Sequence, residues 1–275
     1  MTRMLRARLF GGLAVEVDGR AVADVPGMKP RALLAYLLSR PEPVSRARLA
    51  GVFWPDVLDT SARASLRSAL WSVRAAIEAV GGGDYLVADR SSAGLAPDLP
   101  RWIDAEEAER LLAAGDRASL ERAVGLAARP FLPEIADEWA IEAQDAWRDR
   151  LVAALDRLAE LAEADGDAPA AIEWTRRALR HDRLREAGHR ALIGRLAAAG
   201  ERAQAMAAYR RCRDVLSAEL GIPPSAETRE LADGLRTGRS SEARSPVASS
   251  RSASSASIHR GRSGARPALA RSATR

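Results

Sequence analysis

The sequence predicts a mainly α-helical protein in which three helices and small antiparallel sheets precede an all-helical domain. Residues 5–23 alternate apolar and polar side chains at the period of a β-strand. Residues 30–80 repeat Leu, Val and Ile at helical spacing, and residues 104–235 are rich in Ala, Leu, Glu and Arg between glycine-containing gaps. The domain boundaries predicted from these changes are 1–97, 98–238 and a tail at 239–275.

The first domain begins with a β-hairpin. Asp18 and Gly19 join two alternating segments, and this dipeptide is a strong hairpin signal because both turn positions tolerate positive φ. Pro30 then favours the start of a first helix, since its missing N–H has no partner to lose in the first turn. Pro41 ends that helix.

Two more helices and a second hairpin complete this domain. Ser45 is predicted to cap the second helix. Either Asp59 or Thr60 is predicted to cap the third helix, which extends to about Val80. Residues 84–94 then form a strand, a polar turn and a return strand. This order of sheet, three helices and hairpin is that of a winged helix-turn-helix domain.

The second domain contains an internal repeat. Gly166 and Gly200 are 34 residues apart, which is the period of the tetratricopeptide repeat (TPR), a stacked pair of helices. At the same offset, Leu158 matches Leu192, Ala162 matches Leu196, Ala171 matches Ala205, Ile172 matches Met206 and Ala178 matches Cys212. Residues 98–238 are therefore predicted to form a TPR-like domain of helical hairpins.

Charge is unevenly distributed along the chain. Residues 1–97 carry 13 basic and 9 acidic side chains, residues 98–238 carry 21 and 27, and residues 239–275 carry 8 and 1. This split suggests that the first domain, rather than the second, approaches a polyanion. The Ser-, Ala- and Arg-rich basic tail has too few large apolar side chains to form a core and is predicted to be disordered.

Several classes of function are excluded by missing motifs. The sequence contains no phosphate-binding GxxxxGK[ST] motif, no GxSxG motif, and no His or Cys pairs at metal-ligand spacing. No apolar run approaches the roughly 18 residues of a membrane span, and the single Cys212 is expected to be a core thiol. We therefore expect no enzyme activity, no catalytic residues, no cofactor, no metal and no membrane association, in a cytoplasmic (nucleoid-associated) protein.

The third helix has an exposed face suited to the major groove of DNA. Small and Arg side chains fit a groove about 12 Å wide, where Arg can bind guanine O6 and N7 together. The residues predicted to read bases are Arg63, Arg67, Ser68, Trp71 and Ser72. Trp71 has two interpretations that remain open at this stage: stacking against DNA, or completing the core beside Leu70.

Other residues are predicted to position the domain without reading sequence. The predicted phosphate contacts are Lys29, Arg31, Arg46, Arg48 and Arg74. Arg90, Ser91 and Ser92, at the tip of the second hairpin, are predicted to form a wing along the minor groove. A solvated turn explains these three residues equally well.

Four segments of the first domain, in order, resemble the DNA-binding domain of the Streptomyces antibiotic regulatory protein (SARP) family. They are LRARLFGGLAVEVDGRAV, KPRALLAYLLSRP, VSRARLAGVFWPD and ASLRSALWSVRAAIEA. Two later segments, PFLPEIADEWAIEAQDAWRDRL and AYRRCRDVLSAELGIPPSAETREL, resemble the start and end of that family's bacterial transcriptional activator domain (BTAD). The resemblance covers about residues 3–236. The short glycine-rich segment after the third helix departs from the family pattern, and the tail matches no part of it.

The resemblance implies a sequence-specific DNA-binding transcription regulator. It further implies an activator that binds double-stranded DNA at direct repeats near promoters, as a homodimer, and helps to recruit RNA polymerase. An alternative is a TPR-like protein-protein adaptor whose winged helix no longer reads DNA, which predicts no salt-dependent DNA binding. A second alternative, a hydrolase, is opposed by the missing motifs.

Overall fold

The computed structural model describes residues 3–22 and 25–237 and contains seven strands, ten α-helices and one short 3-10 helix (Gly83–Tyr85) in that part of the chain. The predicted tail at 239–275 lies outside the described residues. The strands are β1 (Leu5–Arg8), β2 (Ala14–Val17), β3 (Arg20–Ala21), β4 (Val44–Ser45), β5 (Leu86–Ala88), β6 (Ser92–Leu95) and β7 (Arg101–Ile103). The helices are α1 (Met28–Leu38), α2 (Arg46–Phe53), α3 (Asp59–Glu78), α4 (Asp104–Ala114), α5 (Arg117–Leu126), α6 (Glu138–Ala164), α7 (Ala168–His181), α8 (Glu186–Ala198), α9 (Arg202–Leu220) and α10 (Ala226–Thr237).

The first sheet has the strand order β3-β2-β1-β7 and mixed direction. Strands β2 and β3 form the predicted hairpin, with φ of 51° at Asp18 and 77° at Gly19. Strand β7 runs parallel to β1, with Leu5 opposite Arg101, so the prediction of a purely antiparallel sheet is wrong in this detail. Parallel pairing is allowed because three helices and a second sheet provide the long crossover connection that it requires.

The three helices of the winged helix form as predicted, with one difference in capping. The Ser45 hydroxyl accepts a hydrogen bond from the Arg48 backbone N–H at 3.3 Å and caps α2. Neither Asp59 nor Thr60 caps α3, because the helix already includes both residues and Leu58 occupies the cap position. The carboxylate of Asp59 instead accepts from the guanidinium of Arg63 one turn later.

One face of α3 is buried. Leu66, Leu70, Val73 and Ile77 are at most 5% exposed, as their spacing predicts. Trp71, in contrast, is 71% exposed. The interpretation of Trp71 as a core residue is therefore wrong, since its position on the helix is turned away from the buried stripe.

The second sheet has the strand order β4-β6-β5. Strands β5 and β6 are the predicted hairpin, and β4 adds a third strand through the pairing of Ser45 with Ser92. The hairpin is thereby attached directly to the start of α2.

The two helical hairpins of the second domain share one turn geometry. Gly166, between α6 and α7, has φ of 77°, and Gly200, between α8 and α9, has φ of 80°. Each turn repeats the same backbone bonds, including Asp167 N–H to Ala162 O and Glu201 N–H to Leu196 O, both at 2.8 Å. This agreement at an offset of 34 residues supports the predicted TPR-like repeat.

The winged helix and the helical domain share one hydrophobic core. Trp139 of α6 meets Tyr36 of α1 with ring centroids 5.0 Å apart, and Phe10 meets Trp147 at 4.9 Å. In addition, the buried carboxylate of Asp104 accepts hydrogen bonds from the backbone N–H groups of Leu9 and Phe10. These contacts fix the first helical residues of α4 to the end of the first sheet.

Candidate nucleic-acid interface

The predicted base-reading residues lie on the free side of α3. Arg63, Arg67, Ser68 and Trp71 are exposed, and Ser72 is half-buried. The Ser72 hydroxyl donates to the Ser68 carbonyl oxygen at 3.2 Å. The face therefore presents a strip of cationic and small polar side chains with one large aromatic ring.

A cleft of about 530 Å³ forms where α2, the first half of α3 and the hairpin tip meet. It is lined by Arg46, Ala47, Thr60, Arg63, Leu66, Arg67, Arg90 and Ser91. Four of these residues are arginines and none is acidic. Positive charge from three separate chain segments is thus concentrated at one concave surface, which favours an anionic ligand.

Two arginine side chains of the cleft have no partner in the described part of the chain. The guanidinium groups of Arg67 and Arg90 make no hydrogen bond or ion pair with any residue of 3–22 or 25–237. Arg63 pairs with Asp59 at 2.7 Å, but both side chains are about two-thirds exposed, so water and salt weaken the pair. The cleft therefore retains cationic groups that an external anion can bind.

The hairpin tip is organised by Asp89. Its carboxylate accepts from the backbone N–H groups of Ser91 and Ser92 at 2.6 and 2.7 Å and from the hydroxyls of both residues. The carbonyl oxygen of Ser91 in turn accepts from the Arg46 N–H at 2.8 Å. Ser91 and Ser92 thus hold the turn in place, and Arg90 is its exposed cation. An Asp followed two residues later by Ser is a local turn signal, although Asp89 was absent from the predicted site.

These hydrogen bonds favour the charged form of the Asp89 carboxyl. The bonds donated by Ser92 and Ser91 lower the pKa of Asp89 from 3.8 to about 2. A folded-state pKa below the unfolded value means that the stabilisation is present above about pH 4 and is lost as pH falls through 2. We expect a pH titration of the Asp89 carboxyl carbon by NMR to give a midpoint near 2. Replacing both Ser91 and Ser92 with Ala should move the midpoint toward 3.8, and a wild-type midpoint near 3.8 would contradict the assignment.

Three of the predicted phosphate contacts bind elsewhere in the protein. Lys29 and Arg31, at the start of α1, form ion pairs with Asp137 and Glu134 of the helical domain. Arg74 donates to the Leu86 carbonyl oxygen at 3.0 Å and braces the hairpin against α3. Of the five predicted phosphate contacts, this leaves Arg46 and Arg48, at the start of α2. Arg46 lines the cleft.

No metal site or reactive thiol accompanies this surface. Among residues 3–22 and 25–237, no group of three or more His, Cys, Asp or Glu side chains is arranged to hold a metal ion. Cys212 is fully buried, and burial raises its thiol pKa to about 11, which favours the inert protonated form. No helix in the described part of the chain is both long and apolar enough to cross a membrane.

Comparison with known proteins identifies the second domain and the overall fold. The family model described as the bacterial transcriptional activator domain matches residues 98–236. No curated protein sequence matches the chain. Among solved structures, Mycobacterium tuberculosis EmbR, in a complex with a low-affinity phosphopeptide, is similar at 26% identity and a TM-score of 0.65.

The match to EmbR covers 86% of this chain and 66% of the EmbR chain, so this chain spans just under two thirds of that protein. The family model alone covers half of this chain. The aligned fold extends across the winged helix as well as the helical domain. The chain therefore belongs to the bacterial transcriptional activator domain family.

Proposed function

We propose that the chain is a sequence-specific DNA-binding activator and that the arginine cleft and the exposed face of α3 contact the DNA. The observation that carries this proposal is the meeting of Arg46, Arg63, Arg67 and Arg90 at one cleft without a lining carboxylate. Affinity for DNA comes largely from neutralising phosphates, whereas specificity comes from contacts to base edges. The surface has groups suited to both tasks.

In the proposed complex, α3 lies in the major groove. Arg67, at the centre of the exposed face, binds a guanine edge, with Ser68 and Ser72 next to it. Arg46 and Arg48 at the start of α2 bind phosphates on one side of the groove. Arg90 and the turn formed by Ser91 and Ser92 reach the backbone or the minor groove on the other side.

Trp71 supports this orientation. A tryptophan that is 71% exposed on a regulator surface buries a large apolar area when it contacts a partner. In the proposed complex, its ring stacks on the sugar-phosphate backbone or on thymine methyl groups. Lys29, Arg31 and Arg74 are not part of the proposed DNA contacts, because each already binds another part of the protein.

The resemblance to the SARP family extends the proposal to promoters. We infer that the protein binds direct repeats as a homodimer and recruits RNA polymerase. The adaptor alternative, in which the winged helix binds protein instead of DNA, uses the same exposed Trp71. Four arginines around a cleft favour DNA over that alternative.

The salt dependence of DNA binding tests the proposal. With Arg46, Arg48 and Arg90 as phosphate contacts, log K per protomer should fall against log salt with a slope of roughly −3, about −0.9 per contact. Fluorescence anisotropy of labelled duplex DNA over a salt series measures this slope. The double variant Arg46→Gln/Arg90→Gln should make the slope shallower by about 2, one per lost contact. A flat salt response of the wild-type chain would favour the adaptor.

Arg67→Ala should separate base reading from phosphate binding. On genomic fragments selected with the purified protein, the variant is expected to lose about 1 to 3 kcal/mol of binding free energy, and much less on random duplex. Arg210→Ala, on the exposed side of α9, is the matched control and should bind like wild type. If Arg67→Ala weakened both DNAs equally, base reading would have to be sought at Arg63 or Trp71.

A further inference from the structure

A second cavity, of about 510 Å³, lies among α7, α8 and α9 of the helical domain. Its apolar side includes the buried Leu192 and Leu196. Four arginines, Arg176, Arg180, Arg183 and Arg211, also line it, and no carboxylate of the described residues does. The cavity shares no residue with the arginine cleft of the winged helix.

The arginines around this cavity are only partly neutralised. Arg180 and Arg183 pair with Glu173 and Glu219, but these four side chains are between 42% and 67% exposed. Such exposed ion pairs are weak and can exchange for a better anion. The Arg211 guanidinium has no hydrogen-bond or ion-pair partner among residues 3–22 and 25–237.

The buried His189 also lines this cavity. The side chain is 3% exposed, and its Nε2 lies 2.9 Å from the Arg183 carbonyl oxygen. Its Nδ1 is buried and has no hydrogen-bond partner in the described part of the chain. Buried polar atoms are seldom left unpaired, so the His189 ring lacks one of the two hydrogen-bond partners that its nitrogens can take.

We propose that this cavity binds a small amphipathic carboxylate, with its anionic head at Arg211 and its hydrocarbon part against Leu192 and Leu196. The arginine guanidinium binds a carboxylate through two parallel hydrogen bonds. The volume lies within the range of roughly 300 to 1,000 Å³ that small-molecule sites occupy. A cavity of this volume with an apolar wall and arginines around it matches such a ligand better than it matches an extended acidic peptide.

Calorimetric titration of the full chain with sodium octanoate and with 1-octanol tests the proposal. We expect octanoate to bind at least tenfold more tightly than octanol, because only the carboxylate can use the arginines. Arg211→Gln should weaken octanoate binding about tenfold, whereas Arg210→Gln, its exposed neighbour that does not line the cavity, should bind like wild type.

The ring nitrogens of His189 provide a second readout, since the sequence has only three histidines. Their NMR signals should move when octanoate is added to wild-type protein, and far less in Arg211→Gln. Three results would overturn the proposal: equal affinity for octanoate and octanol, octanoate binding unchanged in Arg211→Gln, or no octanoate binding. Binding of a peptide of alternating Glu and Leu without octanoate binding would assign the cavity to an acidic protein partner instead.

Discussion

Replacing Leu70 with Ala is expected to lower the free energy of unfolding by about 2 to 5 kcal/mol. Leu70 is 5% exposed and belongs to the core that the winged helix shares with the helical domain. Truncation removes buried methyl groups and leaves a cavity that close-packed neighbours fill only in part. Denaturation in urea, followed by circular dichroism, measures the loss. DNA binding should fall on every sequence, because less of the protein is folded.

The adjacent residue is a control with the opposite expectation. Trp71 follows Leu70 on α3 but is 71% exposed. Trp71→Ala should change the free energy of unfolding by no more than about 0.5 kcal/mol, while weakening DNA binding. If Trp71→Ala destabilised the protein as much as Leu70→Ala, the orientation of α3 described above would be incorrect.

Removing the Asp104 carboxylate is expected to cost about 2 to 4 kcal/mol of folding free energy. Its oxygens accept from the Leu9 N–H at 2.8 Å and from the Phe10 N–H at 3.1 Å. Asp104→Ala would leave both buried donors without a partner, and each orphaned group costs about 1 to 3 kcal/mol. Burial raises the pKa of Asp104, and the backbone N–H groups of Leu9, Phe10 and Ala105 offset part of that increase.

Two further variants make the Asp104 result specific. Asp104→Asn keeps one acceptor oxygen and should cost less than Asp104→Ala. Asp98→Ala removes an exposed carboxylate from the same connecting segment and should leave stability within about 0.5 kcal/mol. Thermal and urea denaturation of Asp104→Ala, Asp104→Asn and Asp98→Ala, compared with wild type, would give their order of stability. Equal stability of Asp104→Ala and wild type would show that water replaces the carboxylate.

Local patterns were sufficient to predict most of the secondary structure. The alternation before Asp18, the helical spacing of Leu66 and Leu70, and the 34-residue offset of Gly166 and Gly200 all depend on neighbours within one or two elements. Each of these features appears in the structure. The family resemblance predicted in addition that an activator domain follows the winged helix in the same chain. The family model that matches residues 98–236 supports this prediction.

Long-range pairing was not predictable in the same way. Strand β7 has only three residues, too few to show a period of two. Lys29 and Arg31 were assigned to phosphates because basic residues at a helix start commonly bind them. Their carboxylate partners, Asp137 and Glu134, lie more than 100 residues further along the chain, and no local pattern reveals such a contact. Trp71 was ambiguous because a tryptophan fits both a core and a binding surface.

The pairing of β1 with β7 also constrains how the protein can fold during synthesis. The hydrogen bond from Leu9 to Asp104 spans 95 positions of the chain, and the partner strand Arg101–Ile103 immediately precedes that aspartate. A ribosome releases the chain from its N-terminus, so β1 emerges long before its neighbour in the sheet. The edge of β1 that pairs with β7 therefore stays unpaired until Arg101–Ile103, at the start of the second domain, has emerged. Contacts that are this distant in sequence form slowly, and completion of the regulator's first sheet is tied to synthesis of its second domain.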